Sequence, residues 1–331
     1  MKKLALLGAG NVGAATAQVL ANRPDIQVEI TKVLVRDVSK AREGISSKQL
    51  SANPGEVLDS ADIIVEVMGG TGLAGDLTLK ALQAGKPVIS ANKAVLAERW
   101  QELKPYAEQG LLHYESSVMA GTPAVGPLSS VLRGSSPLEL HAILNGTCNY
   151  ILTELEKGVS YQNALAEAQR LGYAEADPTL DVGGFDAAHK LTVLARLVFD
   201  PSIEWETVKA STKGIDKLTP TVMTEAKERG GKIRLLASVY PEGGTWQVKV
   251  RPVFLPLDHL MASAASNKNA LYFKGDAIGE VFITGAGAGG MATASGVVAD
   301  LLDVLANRPG PALLKQPAPV PSIQIEALEE I

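Results

Sequence analysis

The sequence predicts an α/β fold: a doubly wound, parallel sheet into which an α+β domain with a mixed sheet is inserted. Three observations carry this. Short apolar runs alternate with helical stretches over residues 1–126. The alternation lapses over 127–284, where strands with hairpin signals take over. A glycine-rich segment and a helical stretch over 285–308 then restore the first pattern.

Residues 4–7 read as a short buried strand. A GxGxxG follows at once, as Gly8, Ala9, Gly10, Asn11, Val12 and Gly13, and Val12, Ala15, Val19 and Leu20 then recur at helical spacing. A glycine-rich turn between strand and helix is the Rossmann-type dinucleotide fingerprint. Its first glycine permits the tight turn, its second lets the backbone approach a pyrophosphate, and its third lets helix and strand pack closely. A glycine-rich turn that binds no nucleotide is the competing reading.

Residues 28–35 alternate as a second strand and run into Arg36 and Asp37. An acid there takes the ribose 2′-OH of NAD, whereas an arginine accommodates the 2′-phosphate of NADP. Arg36 comes first and has Lys40 and Lys48 downstream, which favours NADP(H) with NAD(H) also usable; ordinary solvated charges are the alternative. Residues 63–67 read as a buried strand ending in Gly69 and Gly70, 73–84 as a helix stopped by Gly85, and 87–89 and 111–114 as two more strands. Ligands of such sheets lie beyond the carboxyl ends of the strands. Gly69, Gly70, Ser90, Asn92 and Lys93 are therefore candidate cofactor contacts, with Lys93 either near the nicotinamide or a solvated lysine at a helix start.

In the inserted domain, residues 138–144 form a strand leading into Asn145, Gly146, Thr147, Cys148 and Asn149, then a helix through Leu155. The next helix places Leu165, Ala168 and Leu171 on one face and stops at Gly172. A loop then carries Glu175, Asp177 and Asp181. A further helix has Asp186 in its first turn and Lys190 one turn on, an i,i+4 pair able to aim carboxylate and ammonium at one spot. Acids and an amine around an irregular loop suggest a pocket for a small, charged, amine-bearing substrate. The competing reading is a capped helix with a surface salt bridge, worth under ~1 kcal/mol. Residues 233–240 and 246–254 alternate about Pro241, Glu242, Gly243 and Gly244 as a hairpin, and 271–273 and 281–283 add strands. In the second glycine-rich segment, Gly287 and Gly289 are candidate cofactor contacts, closing the chain back over the nucleotide; a plain domain crossover is the alternative. The tail, 309–331, is rich in proline and expected to be poorly ordered.

With 331 residues, 46% of them hydrophobic, the chain can bury two cores. The formal charge is −5 and no basic run stands out, so no nucleic-acid partner is expected. No apolar run approaches the ~20 residues of a membrane span, so no membrane association is expected either. Met1, Lys2 and Lys3 before an apolar run have the outline of a secretory leader, but that run stops at Gly8. Cys148 is the single cysteine, which excludes an intrachain disulfide and suits a reducing cytoplasm.

Taken together, these pieces resemble the homoserine dehydrogenase family. The match runs in order from about Lys3 to Asn307: GAGNVG at Gly8, SANK at Ser90, ESSVMAGTP at Glu115, ILNGTCNYILTEL at Ile143, GYAEADPTLDVGGFDAAHK at Gly172 and GAGAGGMATASGVVADL at Gly285. The GxGxxG is widely shared; the NGT-N-YIL and GY-E-DP-D-G-DA-HK pieces are far more specific. The resemblance implies interconversion of L-aspartate 4-semialdehyde and L-homoserine with NAD(P)H, on the route to threonine, methionine and isoleucine. It implies Lys190 as proton donor to the carbonyl oxygen where charge develops, with Asp186 orienting the ammonium or binding substrate. It implies Glu175 as acceptor for the substrate's α-ammonium, assisted by Asp181, and Tyr173, Asn145, Gly146 and Thr147 as further substrate contacts. Lys93 would lie near cofactor and substrate, and two lysines in one pocket would lower a lysine pKa. A monovalent cation, sodium first, would sit on main-chain carbonyls of Glu115, Val118, Ala120 and Thr122. The second domain would bind substrate and form a homodimer through its sheet.

Many family members add a C-terminal ACT domain that binds threonine, and some a fused aspartate kinase. This chain ends at Ile331, so the expectation is a short form with weak or absent threonine inhibition by that route. Cys148 stands where many relatives have Thr or Ser and is expected to pack at a helix start. Two rivals stay open: another two-domain dehydrogenase of an amino-acid-derived aldehyde or imine, and a catalytically silent nucleotide sensor. The GYAEADP…DAAHK piece argues against the first. The joint presence of Lys93, Glu175, Asp186 and Lys190 argues against the second.

Overall fold

The computed structural model describes residues 1–321 and 328–331. The chain divides into two compact units: Met1–Ser130 with Ala288–Leu313, and Val131–Gly287 with Leu314–Ile331.

The first unit runs β1 (Lys2–Leu7), α1 (Asn11–Ala21), β2 (Val28–Leu34), β3 (Leu50–Ser51), α2 (Pro54–Asp59), β4 (Ile63–Glu66), α3 (Leu73–Gln83), β5 (Val88–Ser90), α4 (Lys93–Glu98), α5 (Trp100–Ala107), β6 (Leu112–His113), α6 (Ser116–Met119) and α7 (Val125–Ser129). Its six strands are parallel throughout, in the order β3-β2-β1-β4-β5-β6. This is the doubly wound order whose switch point, between β1 and β4, opens the ligand crevice. The two-residue strand β3 is too short to show a period, which is why the sequence does not reveal it. Leu4, Leu6, Val33, Ile63, Val65 and Ile89 fill the sheet's core, each side chain contributing roughly 1.5–3 kcal/mol on burial. Local signals are in place where they are expected. Pro54 opens α2, for example, with Asn53 accepting from the main-chain N–H of Gly55 and Glu56.

The second unit runs β7 (Pro137–Ile143), α8 (Gly146–Glu156), α9 (Tyr161–Arg170), α10 (Thr179–Val182), α11 (Phe185–Val198), α12 (Trp205–Ala210), α13 (Pro220–Glu228), β8 (Gly231–Glu242), β9 (Thr245–Pro256), β10 (Lys268–Gly275) and β11 (Gly279–Ala286). The sheet order is β11-β10-β7-β8-β9, and every pair is antiparallel rather than mixed. The β8–β9 hairpin turns on two residues, Gly243 and Gly244, at φ 60° and 77°. Two consecutive positive φ values match the right-handed strand twist and demand glycine or a close substitute, so the turn is tighter than the four-residue link read from sequence. Helix α9 buries Ala164 and Ala168 and leaves Leu171 exposed, a narrower apolar face than expected.

Helix α14 (Gly290–Leu305) returns to the first unit and packs Val297, Val298 and Leu301 into its core beside Ala17 and Leu20. The described part of the tail is tied down, contrary to expectation. Gly310 N donates to Gly110 O, and Ala318 N donates to Phe199 O. Phe254 N donates to Glu329 O and Ile331 N to Pro252 O, so residues 329–331 line the β9 edge. The stretch 322–327 of the same expectation lies outside the described residues. No helix among the described residues is long and apolar enough to cross a membrane.

Candidate active site

A cradle of nucleotide-binding type is built at the carboxyl end of the first unit's sheet. Gly8 has φ 108° and donates its N–H to Leu34 O, while Val67 N donates to Leu7 O. The turn is thereby pinned between β2 and β4. A Cβ on Gly13 would lie 2.2 Å from Gly8 O, so the helix–strand approach there tolerates only glycine. A Cβ on Gly10 would meet nothing within 4 Å. Gly10 caps α1 without a side-chain bond, so the helix offers its first N–H groups and the positive end of its dipole to open space. Ala9, Asn11 and Val12 complete this turn. A close-approach cradle facing an uncapped helix N-terminus is what a pyrophosphate requires, and the residues fit a dinucleotide.

At the end of β2, Arg36 is exposed. Asp37 turns back instead: its Oδ1 accepts from Ser39 N at 3.0 Å and Ser39 Oγ at 2.6 Å. Those bonds draw its carboxyl below the usual range. Lys48 is exposed, with its carbonyl accepting from Lys32 Nζ. Gly69 and Gly70 follow β4, both with positive φ. Ser90, Asn92 and Lys93 follow β5, with Asn92 capping α4 by accepting from Val95 N and Lys93 half-buried at the helix start. Gly289, at φ 120°, precedes α14, and Gly290 packs against Asn11 O, so this part of the second glycine-rich segment borders the GxGxxG turn. Gly287 belongs to the second unit, where its backbone lies against the Asn269 side chain.

One acid in this unit has no counterpart in the sequence reading. Glu66, the last residue of β4, is fully buried in a strand read as simply apolar. The signal was there, as a carboxylate in an otherwise aliphatic run.

Glu115, Val118, Ala120 and Thr122 lie on the tight segment around α6, where Ala120 reverses the chain at φ 54°. The Glu115 carboxylate accepts from the N–H groups of Ala124, Val125 and Gly126, and Glu115 N donates to Asp300. No cluster of three or more His, Cys, Asp or Glu side chains able to hold a metal occurs among the described residues.

A second polar cluster lies wholly in the second unit. Lys190 and Asp186 are 8% and 9% exposed, so their pair is not the surface salt bridge of the competing reading. Lys190 Nζ donates to Asp186 Oδ2 at 2.7 Å and to Leu144 O at 2.7 Å. Asn145 joins the cluster: its Nδ2 donates to Asp186 Oδ2 at 2.8 Å and Asp181 Oδ1 at 2.7 Å, while its Oδ1 caps α8 by accepting from Cys148 N. The end of β7 and the starts of α8, α10 and α11 thus meet at one amide. Asp181 sits in helix α10, where the sequence suggested only loop.

Thr147 Oγ1 donates to Tyr173 O at 2.6 Å, and Gly146 packs against Asn267 O. The Tyr173 ring meets Tyr150 edge-on at 5.2 Å. Glu175 is exposed on the loop after α9, its main-chain carbonyl accepting from Gln169. Cys148 is fully buried and its thiol donates to Asp181 O. Burial pushes that thiol's pKa well up, so it is a packed, protonated group rather than a nucleophile.

The family model for the NAD-binding domain of homoserine dehydrogenase matches residues 8–115, and that for homoserine dehydrogenase itself matches 123–302. The homoserine dehydrogenase of Neisseria gonorrhoeae is 36% identical, over 99% of this chain and 79% of its own length. Among solved structures, a homoserine dehydrogenase from Thiobacillus denitrificans superposes with a TM-score of 0.85 at 37% identity, covering 92% of this chain and 73% of that one. A hyperthermophilic archaeal homoserine dehydrogenase in complex with NADPH gives 0.78 at 25% identity, covering 94% and 99%.

Proposed function

The chain belongs to the homoserine dehydrogenase family, and on that premise we propose that it interconverts L-aspartate 4-semialdehyde and L-homoserine with a nicotinamide cofactor. The observation that carries this reading is the buried Lys190 ammonium. A protein that only sensed nucleotide would gain nothing from burying a charge whose desolvation costs several kcal/mol.

A reduced nicotinamide, when bound, would supply the hydride to the aldehyde carbon. The chain's own part is the proton and the placement. An ammonium carries three N–H donors. Asp186 and the Leu144 carbonyl take two of Lys190's, which fixes the nitrogen and aims the third. That proton goes to the carbonyl oxygen as charge develops there. Asp186 supports the ammonium, and the amine is reprotonated from solvent after product leaves. Asp181, set by Asn145, and Glu175 offer carboxylate oxygens to the substrate's α-ammonium, while Gly146, Thr147 and Tyr173 line the same segment. Lys93, at the start of α4, serves the nicotinamide side.

The test is the initial rate of L-aspartate 4-semialdehyde reduction with NADPH and with NADH. Rapid turnover with either supports the reading; folded, nucleotide-binding protein with no turnover overturns it in favour of a neighbouring dehydrogenase or a silent sensor.

The cofactor proposed is NADP(H) in preference to NAD(H). Asp37 is engaged with Ser39, whereas Arg36 is exposed, with Lys48 exposed further along. Arg36→Ala is expected to raise KM for NADPH about tenfold through loss of a phosphate contact, with KM for NADH little changed. A parallel rise for both cofactors would remove Arg36 from the 2′-phosphate.

The proposal includes a sodium-class monovalent cation on the carbonyls of Glu115, Val118, Ala120 and Thr122, supported by the family pattern and by the tight reversal at Ala120. Replacing sodium with tetramethylammonium at constant ionic strength is expected to slow turnover; an unchanged rate would discard the cation. A homodimer formed through the second unit's sheet, a place in threonine, methionine and isoleucine biosynthesis, and a cytoplasmic location belong to the same proposal. They rest on the family pattern and, for location, on the single cysteine.

A further inference from the structure

Glu66 stands where a buried parallel strand ends, and its carboxylate is 0% exposed. An ionisable group there is costly unless its oxygens are satisfied. Oε1 accepts from Met68 N at 2.8 Å and from Asn92 Nδ2 at 3.4 Å, and Oε2 accepts from Ser90 Oγ at 2.9 Å. Burial still leaves the carboxyl with a raised pKa. These donors come from two loops, one after β4 and one after β5, whose last residues pair as Glu66 and Ser90.

The connections extend further. Asn92 Nδ2 also donates to Gly70 O at 2.8 Å, Asn92 N donates to Ser90 Oγ, and Asn92 Oδ1 caps the helix that Lys93 opens. One carboxylate therefore fixes Met68–Gly70 on one side and Ser90–Lys93 on the other. All its donors are neutral, and Oε1 faces two N–H groups that can only donate. A glutamine that keeps its oxygen there loses the charge and must reverse the Ser90 bond, with its NH2 donating to a hydroxyl that already accepts from Asn92 N. In a doubly wound sheet the strands on the GxGxxG side of the switch point bind one mononucleotide and those beyond it the other.

We propose that Glu66 is a positioning residue for the reaction: it locks the two loops that follow β4 and β5 into the shape that receives the nicotinamide half of the cofactor and places Lys93 beside it. This rests on the dinucleotide reading above. It separates Glu66 from a merely structural acid, because its effect falls on one half of the nucleotide only.

The experiment compares the binding of NADPH and of adenosine 2′,5′-bisphosphate, which lacks the nicotinamide half, to wild-type protein and Glu66→Gln. The Kd for NADPH is expected to rise about tenfold and kcat to fall, with the Kd for the bisphosphate unchanged, a loss on the scale of one charge-assisted hydrogen bond. Equal affinities in both proteins, or a parallel loss for both ligands, would overturn the proposal. Should Glu66→Gln fail to fold, Ser90→Ala removes the hydroxyl that donates to Glu66 and accepts from Asn92 N, and is expected to show the same split at smaller size, while the absence of a split there overturns the proposal too. The split is read without turnover. Wild-type protein that binds NADPH but does not reduce the semialdehyde would sink the substrate reading and leave Glu66 to be judged on the split. Wild-type protein that binds neither ligand would overturn both.

Discussion

Lys190→Ala is expected to lower kcat/KM for semialdehyde reduction by about a thousandfold, the middle of the range for loss of a general acid, and close to 4 kcal/mol of transition-state stabilisation. NADPH binding should survive, because the glycine turn and Arg36 belong to the other unit. The substitution also leaves Asp186 without its ammonium. Removing one partner of a buried pair can cost about 3–5 kcal/mol, although Asn145 Nδ2 still donates to Asp186 and softens the loss. Thermal midpoint and nucleotide affinity must therefore be measured alongside the rate. Small primary amines offer a cleaner check. Ethylamine diffusing into the space left by the side chain should restore part of the activity, which a purely structural lysine would not permit. A folded variant within tenfold of the wild-type rate would assign the proton to another group.

That cluster was only half legible in the sequence. The i,i+4 spacing of Asp186 and Lys190 is local, so a linear reading finds it. Their burial is not local. Asn145 and the Leu144 carbonyl reach them from the end of β7, more than forty residues away along the chain. Nothing in the composition of 172–191 says that such a partner exists. Glu66 was lost for the opposite reason. Counting apolar residues over 63–67 identifies the strand and overlooks the one side chain in it that cannot be there for hydrophobic reasons. Strand direction in the second sheet was equally hidden, because a two-residue period is the same for parallel and antiparallel pairs. The tail misled because proline content reports what a segment cannot donate. It does not report which edge will accept it, and residues 329–331 find the open side of β9. The glycine turn was legible because steric exclusion leaves few residue types to choose from.

The same steric argument yields a paired prediction at Gly13 and Gly10. In Gly13→Ala the new methyl would lie 2.2 Å from Gly8 O and 3.0 Å from Gly8 C. Both are backbone atoms that no rotamer change can move, so α1 must shift from β1. Such overpacking costs about 1–3 kcal/mol, and the turn that presents the first N–H groups of α1 is distorted with it. Stability and NADPH affinity should fall together. Gly10→Ala is different. Its φ of −76° is ordinary for any residue, and beyond its two chain neighbours no protein atom lies within 4 Å of the added carbon. The folded chain therefore has no steric reason to require glycine there, and the thermal midpoint should hardly move. If a pyrophosphate approaches the backbone at that point, the methyl occupies its place, and the Kd for NADPH should rise about a hundredfold or more. Loss of binding with stability intact would show that Gly10 is kept for the ligand and Gly13 for the fold. A Gly10→Ala protein that binds NADPH as the wild type does would place the phosphates elsewhere and remove the basis of the cofactor reading, Glu66 included.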